Sequence, residues 1–128
     1  MGKIFGHRGL PHIYRENSIT GLNKAFEYCD YVETDVRITA DNNLILFHDP
    51  DINGQFINEL STEEILNKLN DVEKDELILS SRDQIDGKVN FEIKTNSLEK
   101  TQIDILFQKM LSILSCLLYT SDAADEHT

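Results

Sequence analysis

The chain has 128 residues, 40% of them hydrophobic and 27% charged, and a formal net charge of −11. That is enough for one domain with a modest core. The acidic balance argues against a nucleic-acid binder and disfavours docking on anionic membranes, because both need a basic patch. Met1-Gly2-Lys3 leads into only a short apolar stretch broken at His7-Arg8, so no signal peptide is read there, and no run approaches the ~20 apolar residues of a membrane span. Cys29 and Cys116 supply neither a disulfide framework nor a metal-ligand spacing. The expected location is cytoplasmic, with the oligomeric state open.

In chain order, Lys3-Ile4-Phe5-Gly6 predicts a first strand ending at His7, followed by a loop through Gly9 and Pro11. Asn17 or Ser18 suits a helix N-cap, and Ile19, Leu22, Phe26 and Cys29 then fall on one stripe of a helix ending near Asp30. Tyr31–Ile38 alternates as a strand should, with Val32, Thr34, Val36 and Ile38 on one face and Glu33, Asp35 and Arg37 on the other. Two carboxylates side by side on a buried face need a compensating cation, either Arg37 or a divalent metal. Ala40–Asn43 is a turn, and Leu44–Phe47 is an apolar run suited to a strand buried on both faces. Its link to the preceding strand is too short for a helical crossover, so the connection is irregular or the two strands pair differently.

Residues 51–60 read as a loop, and Ser61-Thr62-Glu63-Glu64 as a capping box opening a helix with Ile65, Leu66 and Leu69 inward. Residues 70–88 are acidic and poorly patterned apart from Leu77-Ile78-Leu79. Val89–Lys94 alternates again, and a helix from about Leu98 carries Ile103, Leu106, Phe107, Met110, Leu111 and Leu114 at helical spacing. The stretch from Cys116 breaks that pattern and matches a translated sequencing adapter. The expected division is therefore 1–115 as the domain and 116–128 as a non-native tail, in a truncated reading frame.

Each strong strand ends in polar residues: His7-Arg8, Glu33 and Asp35, His48-Asp49, Glu92 and Lys94. In parallel barrels and doubly wound sheets, ligands bind at the carboxyl ends of strands. Two histidines suit proton transfer on either side of a breaking bond, three carboxylates suit Ca²⁺ or Mg²⁺, and Arg8 with Lys94 suits a phosphate-like anion. The set suggests phosphodiester cleavage.

His7-Arg8-Gly9, Glu16-Asn17, Glu33-Thr34-Asp35-Val36, Thr39-Ala40-Asp41, Phe47-His48-Asp49-Pro50 and Phe91-Glu92-Ile93-Lys94 stand in the order and approximate spacing that resembles the glycerophosphodiester phosphodiesterase family. The resemblance covers residues 3–94 and implies an α/β fold, a partial TIM (β/α)₈ barrel holding about the first four strands. It implies His7 and His48 as the catalytic acid/base pair, Arg8 and Lys94 on the substrate phosphate, and Glu33, Asp35 and Glu92 as ligands of one divalent cation, Ca²⁺ or Mg²⁺. The implied reaction is hydrolysis of a small-molecule glycerophosphodiester to glycerol 3-phosphate and an alcohol. Related phospholipase D-type lipid hydrolysis, and a barrel fragment without turnover, are the alternatives. The chain departs from the family at Arg15-Glu16-Asn17-Ser18, where a proline usually precedes Glu-Asn.

Overall fold

The computed structural model describes residues 5–9, 15–70 and 72–125. In chain order its elements are β1 (Phe5–His7), α1 (Ile19–Ala25), β2 (Tyr31–Ile38), β3 (Leu44–Leu46), β4 (Asp51–Ile52), β5 (Gln55–Phe56), α2 (Thr62–Leu69), α3 (Lys74–Leu77), β6 (Ile78–Leu79), β7 (Val89–Ile93) and α4 (Lys100–Asp125). Short 3₁₀ turns at Ile57–Glu59 and Arg82–Gln84 complete it.

β2 is the axis of the main sheet, and its register fixes where its neighbours lie. Val36 is partnered by Leu46 of β3 and by Ile93 of β7, so those two strands occupy opposite edges of β2. Val32 and Glu33 are partnered by both β1 and β7, so β1 lies opposite β7 as well. β1 and β3 therefore sit end to end along one edge of β2. β1 and β7 run parallel to β2, whereas β3 runs antiparallel. Of the four strands expected to run parallel, three do. The third cannot, because the turn from Thr39 to Asn43 closes a hairpin: the Thr39 N–H donates to the Asn43 carbonyl at 2.9 Å, with Asn42 at φ 64°. Among the described residues the sheet is open and does not close into a barrel.

The two faces of the sheet carry different loads. Val32, Val36, Ile38, Leu44 and Leu46 are buried on one face beneath Leu22 and Ala25 of α1 and Leu106, Met110 and Ile113 of α4. On the other face Ile45 joins Ile52, Ile57, Leu60, Ile65, Leu77 and Ile78 in a second cluster. The α4 seam is thus Leu106–Met110–Ile113, at the i, i+4, i+7 spacing of one helix face. Phe107 and Leu111, expected inward, lie on the neighbouring stripe and are 42% and 59% exposed.

Helix starts follow their caps. The Ser18 hydroxyl accepts from the Gly21 N–H, making Ser18 the α1 cap, and Ser61 with Glu64 forms the full capping box of α2. α1 ends at Ala25, earlier than its apolar stripe suggests. The loop predicted over 51–60 contains the β4–β5 hairpin, and Leu77-Ile78-Leu79 closes α3 and forms β6. The α4 backbone continues to Asp125 through the stretch read as an adapter, and residues 126–128 lie outside the described residues. No helix among the described residues is long and apolar enough to cross a membrane.

Candidate active site

The sheet topology brings distant parts of the sequence to one place. Because β3 returns along the edge that β1 occupies, the carboxyl ends of β1 and β3 approach one another alongside Asp35: the Arg8 N–H donates to the Glu33 carbonyl at 2.7 Å and the Phe47 N–H to the Asp35 carbonyl at 3.0 Å. On the opposite edge Asp35 is the register partner of Glu92, and the Lys94 N–H donates to the Val36 carbonyl at 2.9 Å. His7 is the last residue of β1 and the register partner of Glu33; its side chain lies outside the described part of the structure.

The loop after β1 is held in a conformation few residues accept. Arg8 has φ 56° and Gly9 φ 84°. A Cβ on Gly9 would stand 2.9 Å from the Gly21 carbonyl carbon, so the loop lies directly on the α1 backbone and only glycine fits. The Asn17 N–H donates to the Arg8 carbonyl at 3.0 Å, and Asn17 itself has φ 55°. Glu16 reaches back to the Arg8 guanidinium at 3.4 Å. Strained residues cluster where a side chain must be aimed, and here the residue aimed is Arg8.

Asp35 is the centre of charge. It is 1% exposed. Arg8 Nε lies 3.4 Å from Oδ2 and Lys94 Nζ lies 3.9 Å from Oδ1. Asn17 Nδ2 donates to Oδ2 at 3.1 Å, while Asn17 Oδ1 accepts from the Thr34 hydroxyl at 2.9 Å. Asp35 Oδ1 and Arg8 Nε are buried without a hydrogen-bond partner. Lys94 also donates to Glu92 Oε1 at 2.9 Å, and that bond holds the Glu92 carboxyl below its ordinary range. Glu92 further feels the Asp35 side chain and the charge of His48. From the sequence the two carboxylates on β2 pointed to Arg37 or a metal; in the fold Arg8 and Lys94 make the direct contacts to Asp35.

Arg37 is directed elsewhere. Its Nε and Nη2 donate to the main-chain carbonyl of His48 at 3.0 and 2.5 Å. Burial pushes its pKa down, against the opposing pull of Asp35, Asp49, Asp51 and Glu92. His48 Nδ1 is 2.8 Å from Asp49 Oδ1. This contact fixes which ring nitrogen is occupied and leaves Nε2 for other chemistry. Arg15, Glu16, Asn17, Phe47, His48 and Asp49 line a cavity of about 360 Å³ beside it.

The donor chemistry suits a hard divalent cation, with carboxylate oxygens on neighbouring strands and one of them, Asp35 Oδ1, buried and unpartnered. Asp35 and Glu92 stand adjacent, and Glu33 lies two positions along the same strand face as Asp35. As the side chains stand, no three His, Cys, Asp or Glu among the described residues are gathered as a ready-made ion site. The fold therefore joins Arg8, Asp35, His48, Glu92 and Lys94 in one neighbourhood. It adds Asn17 and Arg37, whose roles motif spacing alone did not disclose.

The glycerophosphoryl diester phosphodiesterase family model matches residues 7–116. The chain belongs to that family. Among curated relatives it is 39% identical over 54 residues to the glycerophosphodiester phosphodiesterase of Bacillus altitudinis, covering 41% of this chain and 22% of that protein. It is 37% identical over 54 residues to an uncharacterized protein of Bacillus subtilis, with 41% and 22% covered. The solved glycerophosphodiester phosphodiesterase of Thermotoga maritima superposes with a TM-score of 0.60 at 26% identity, covering 84% of this chain and 49% of that one. An Oleispira antarctica phosphodiesterase in complex with sn-glycerol-3-phosphate shares the fold, with a TM-score of 0.65 at 19% identity over 90% of this chain and 52% of that one. The matches thus span about half the length of these two solved structures and 22% of these two curated relatives.

Proposed function

We propose that the chain contributes the catalytic half of a glycerophosphodiester phosphodiesterase, hydrolysing a small-molecule glycerophosphodiester to glycerol 3-phosphate and an alcohol. The observation that carries this reading is that Arg8 and Lys94 flank the buried Asp35, whose carbonyl accepts from the Phe47 N–H next to His48, where the ends of three strands meet. Arg8 and Lys94 would bind the phosphoryl oxygens, with Arg8 offering a planar fork and Lys94 a point charge. Both would offset the charge that builds on the phosphoryl group as the bond breaks. Asp49 holds His48 Nδ1. In the tautomer with hydrogen on Nδ1, Nε2 is a bare base; with the ring protonated, it is an acid for the leaving alcohol. His7, adjacent to Glu33 in register, would supply the complementary proton transfer.

Asp35 and Glu92, with Glu33, would hold one divalent cation, Ca²⁺ or Mg²⁺, which when bound would act as a Lewis acid toward the phosphoryl oxygens. The test is release of glycerol 3-phosphate from glycerophosphocholine by the purified chain, with and without chelator. Release that depends on Ca²⁺ or Mg²⁺ supports the reading. Phosphatidic acid release from a phospholipid, with none from glycerophosphocholine, would favour phospholipase D-type chemistry instead. A second reading, a family fragment without turnover, is favoured by the open sheet and by the half-length match to solved members. Cation binding without product in either assay would establish it.

A further inference from the structure

Arg37 is 6% exposed, and burying a guanidinium is unfavourable unless its donors are satisfied. Both of its directed donors, Nε and Nη2, converge on one main-chain carbonyl, that of His48. The carbonyl lies just past the point where the β2–β3 ladder ends. On one side the Phe47 N–H is fixed to the Asp35 carbonyl at 3.0 Å, and on the other the Ile57 N–H is fixed to the Pro50 carbonyl at 2.9 Å. His48 sits between these two anchors, and the guanidinium fork closes the gap. The negative groups around Arg37, namely Asp35, Asp49, Asp51 and Glu92, offset its charge without taking its directed donors.

We propose that Arg37 is a positioning residue that aims the His48 ring by clamping the His48 carbonyl. The inference rests on His48 serving as the acid/base group of the proposed hydrolase. A forked donor restrains a carbonyl in two directions, whereas an ammonium at the end of a flexible stem gives one bond and no fixed plane. The ring is then restrained twice, by Arg37 through its backbone and by Asp49 through Nδ1. Arg37 touches no reacting atom. It acts on geometry, to which proton transfer is sensitive on the scale of an ångström.

The experiment compares the full chain with its Arg37→Ala and Arg37→Lys variants by two readouts. The first is the rate at which diethylpyrocarbonate modifies His48, mapped by peptide mass spectrometry. The second is turnover of glycerophosphocholine. In Arg37→Ala the His48 modification rate is expected to change by at least about threefold, because the 47–50 segment opens locally. The kcat is expected to fall about 100-fold with KM held within about threefold, the split that marks a misaimed catalytic group rather than a lost binding contact. Added guanidinium ion should partly reverse both changes and ammonium ion should not, and Arg37→Lys should fall between Ala and the parent. Wild-type His48 reactivity and kcat in either variant would overturn the proposal. So would equal rescue by guanidinium and ammonium. If Arg37→Ala does not fold, the Lys variant decides. If the parent shows no turnover, the hydrolase reading fails and the modification rates alone decide for or against the clamp.

Discussion

Asn17 donates its side-chain amide to Asp35 Oδ2 at 3.1 Å while its own oxygen accepts from the Thr34 hydroxyl at 2.9 Å. A residue just before α1 thereby satisfies two consecutive side chains in the middle of β2. The pairing leaves Asp35 Oδ1 as the buried oxygen without a hydrogen bond, on the side that Lys94 approaches at 3.9 Å. The Asn17 N–H is also bound to the Arg8 carbonyl at 3.0 Å. One asparagine thus couples the loop carrying a candidate phosphate ligand to the carboxylate at the centre of the site.

That coupling should be visible in stability. Asn17→Gly removes the buried amide but keeps the φ of 55° accessible. The lost bonds leave the Thr34 hydroxyl and Asp35 with poorer partners, a loss of about 1–3 kcal/mol. Asn17→Ala should lose about 1 kcal/mol more, because a Cβ-bearing residue without a local polar side chain is strained in the left-handed region. Urea unfolding of the three proteins checks the order parent, Gly, Ala. Equal stability of Gly and Ala would remove the backbone part of the argument.

A second asparagine-sized knot gives a pH-dependent prediction. Asp41 Oδ1 accepts from the Thr39 hydroxyl at 2.6 Å, the Thr62 N–H at 2.9 Å and the Thr62 hydroxyl at 3.0 Å, tying the β2–β3 turn to the start of α2. Burial raises its pKa, but these hydrogen bonds outweigh burial and hold it below the ordinary 3.8. A carboxylate depressed in the folded state stabilises fully above its unfolded pKa, and loses that contribution as pH falls through the folded value. Asp41→Asn should therefore lower the melting temperature at pH 7, and the gap to the parent should narrow below about pH 4. A gap independent of pH would assign the effect to shape rather than charge.

These two knots mark how far the sequence could be read. β1, β2, β3 and β7, the Ser61 capping box and the motif order were legible because apolar patterning, cap chemistry and spacing are local signals, whereas the two-residue strands β4 and β5 are too short to show a period. The direction of β3 was legible as a conflict, since the turn after Ile38 is too short for a crossover, but pairing decides its sense. The partners of Asp35 were not legible. Arg37 shares its strand face and looked like its natural counter-ion, yet the returning β3 places the His48 carbonyl within reach of Arg37, while Arg8 and Lys94 arrive at Asp35 from other strands. Asn17 looked like a helix cap. Ser18 took that role because its extended backbone aims the hydroxyl at the Gly21 N–H, which left the asparagine amide free to turn toward β2.

The two histidines should separate chemistry from binding. His48 carries Asp49 on Nδ1 and lies outside the direct contacts of Asp35, so His48→Ala is expected to remove nearly all turnover while leaving divalent-cation affinity within about twofold. His7→Ala is expected to do the same. Steady-state assay of glycerophosphocholine hydrolysis, paired with calorimetric titration of Ca²⁺ or Mg²⁺, checks both halves. Activity retained in either variant would reassign that histidine.

Lys94 and a bound cation should compete for the same carboxylates. The ammonium stands 2.9 Å from Glu92 Oε1 and 3.9 Å from Asp35 Oδ1, so it already neutralises the oxygens proposed to hold the ion. Lys94→Met removes a like charge from beside that ion and should tighten Ca²⁺ or Mg²⁺ binding severalfold. The same change should weaken binding of sn-glycerol 3-phosphate, because an anion loses one of its two cationic partners. Glu92→Gln should act in the opposite sense, weakening the divalent ion by at least about tenfold while affecting the phosphate less. Calorimetric titration of the parent and both variants with each ligand gives the full comparison. Unchanged cation affinity in both variants would mean that the ion does not sit at Asp35 and Glu92. Loss of phosphate binding in Lys94→Met with no change in cation affinity would keep the phosphate role and discard the shared site.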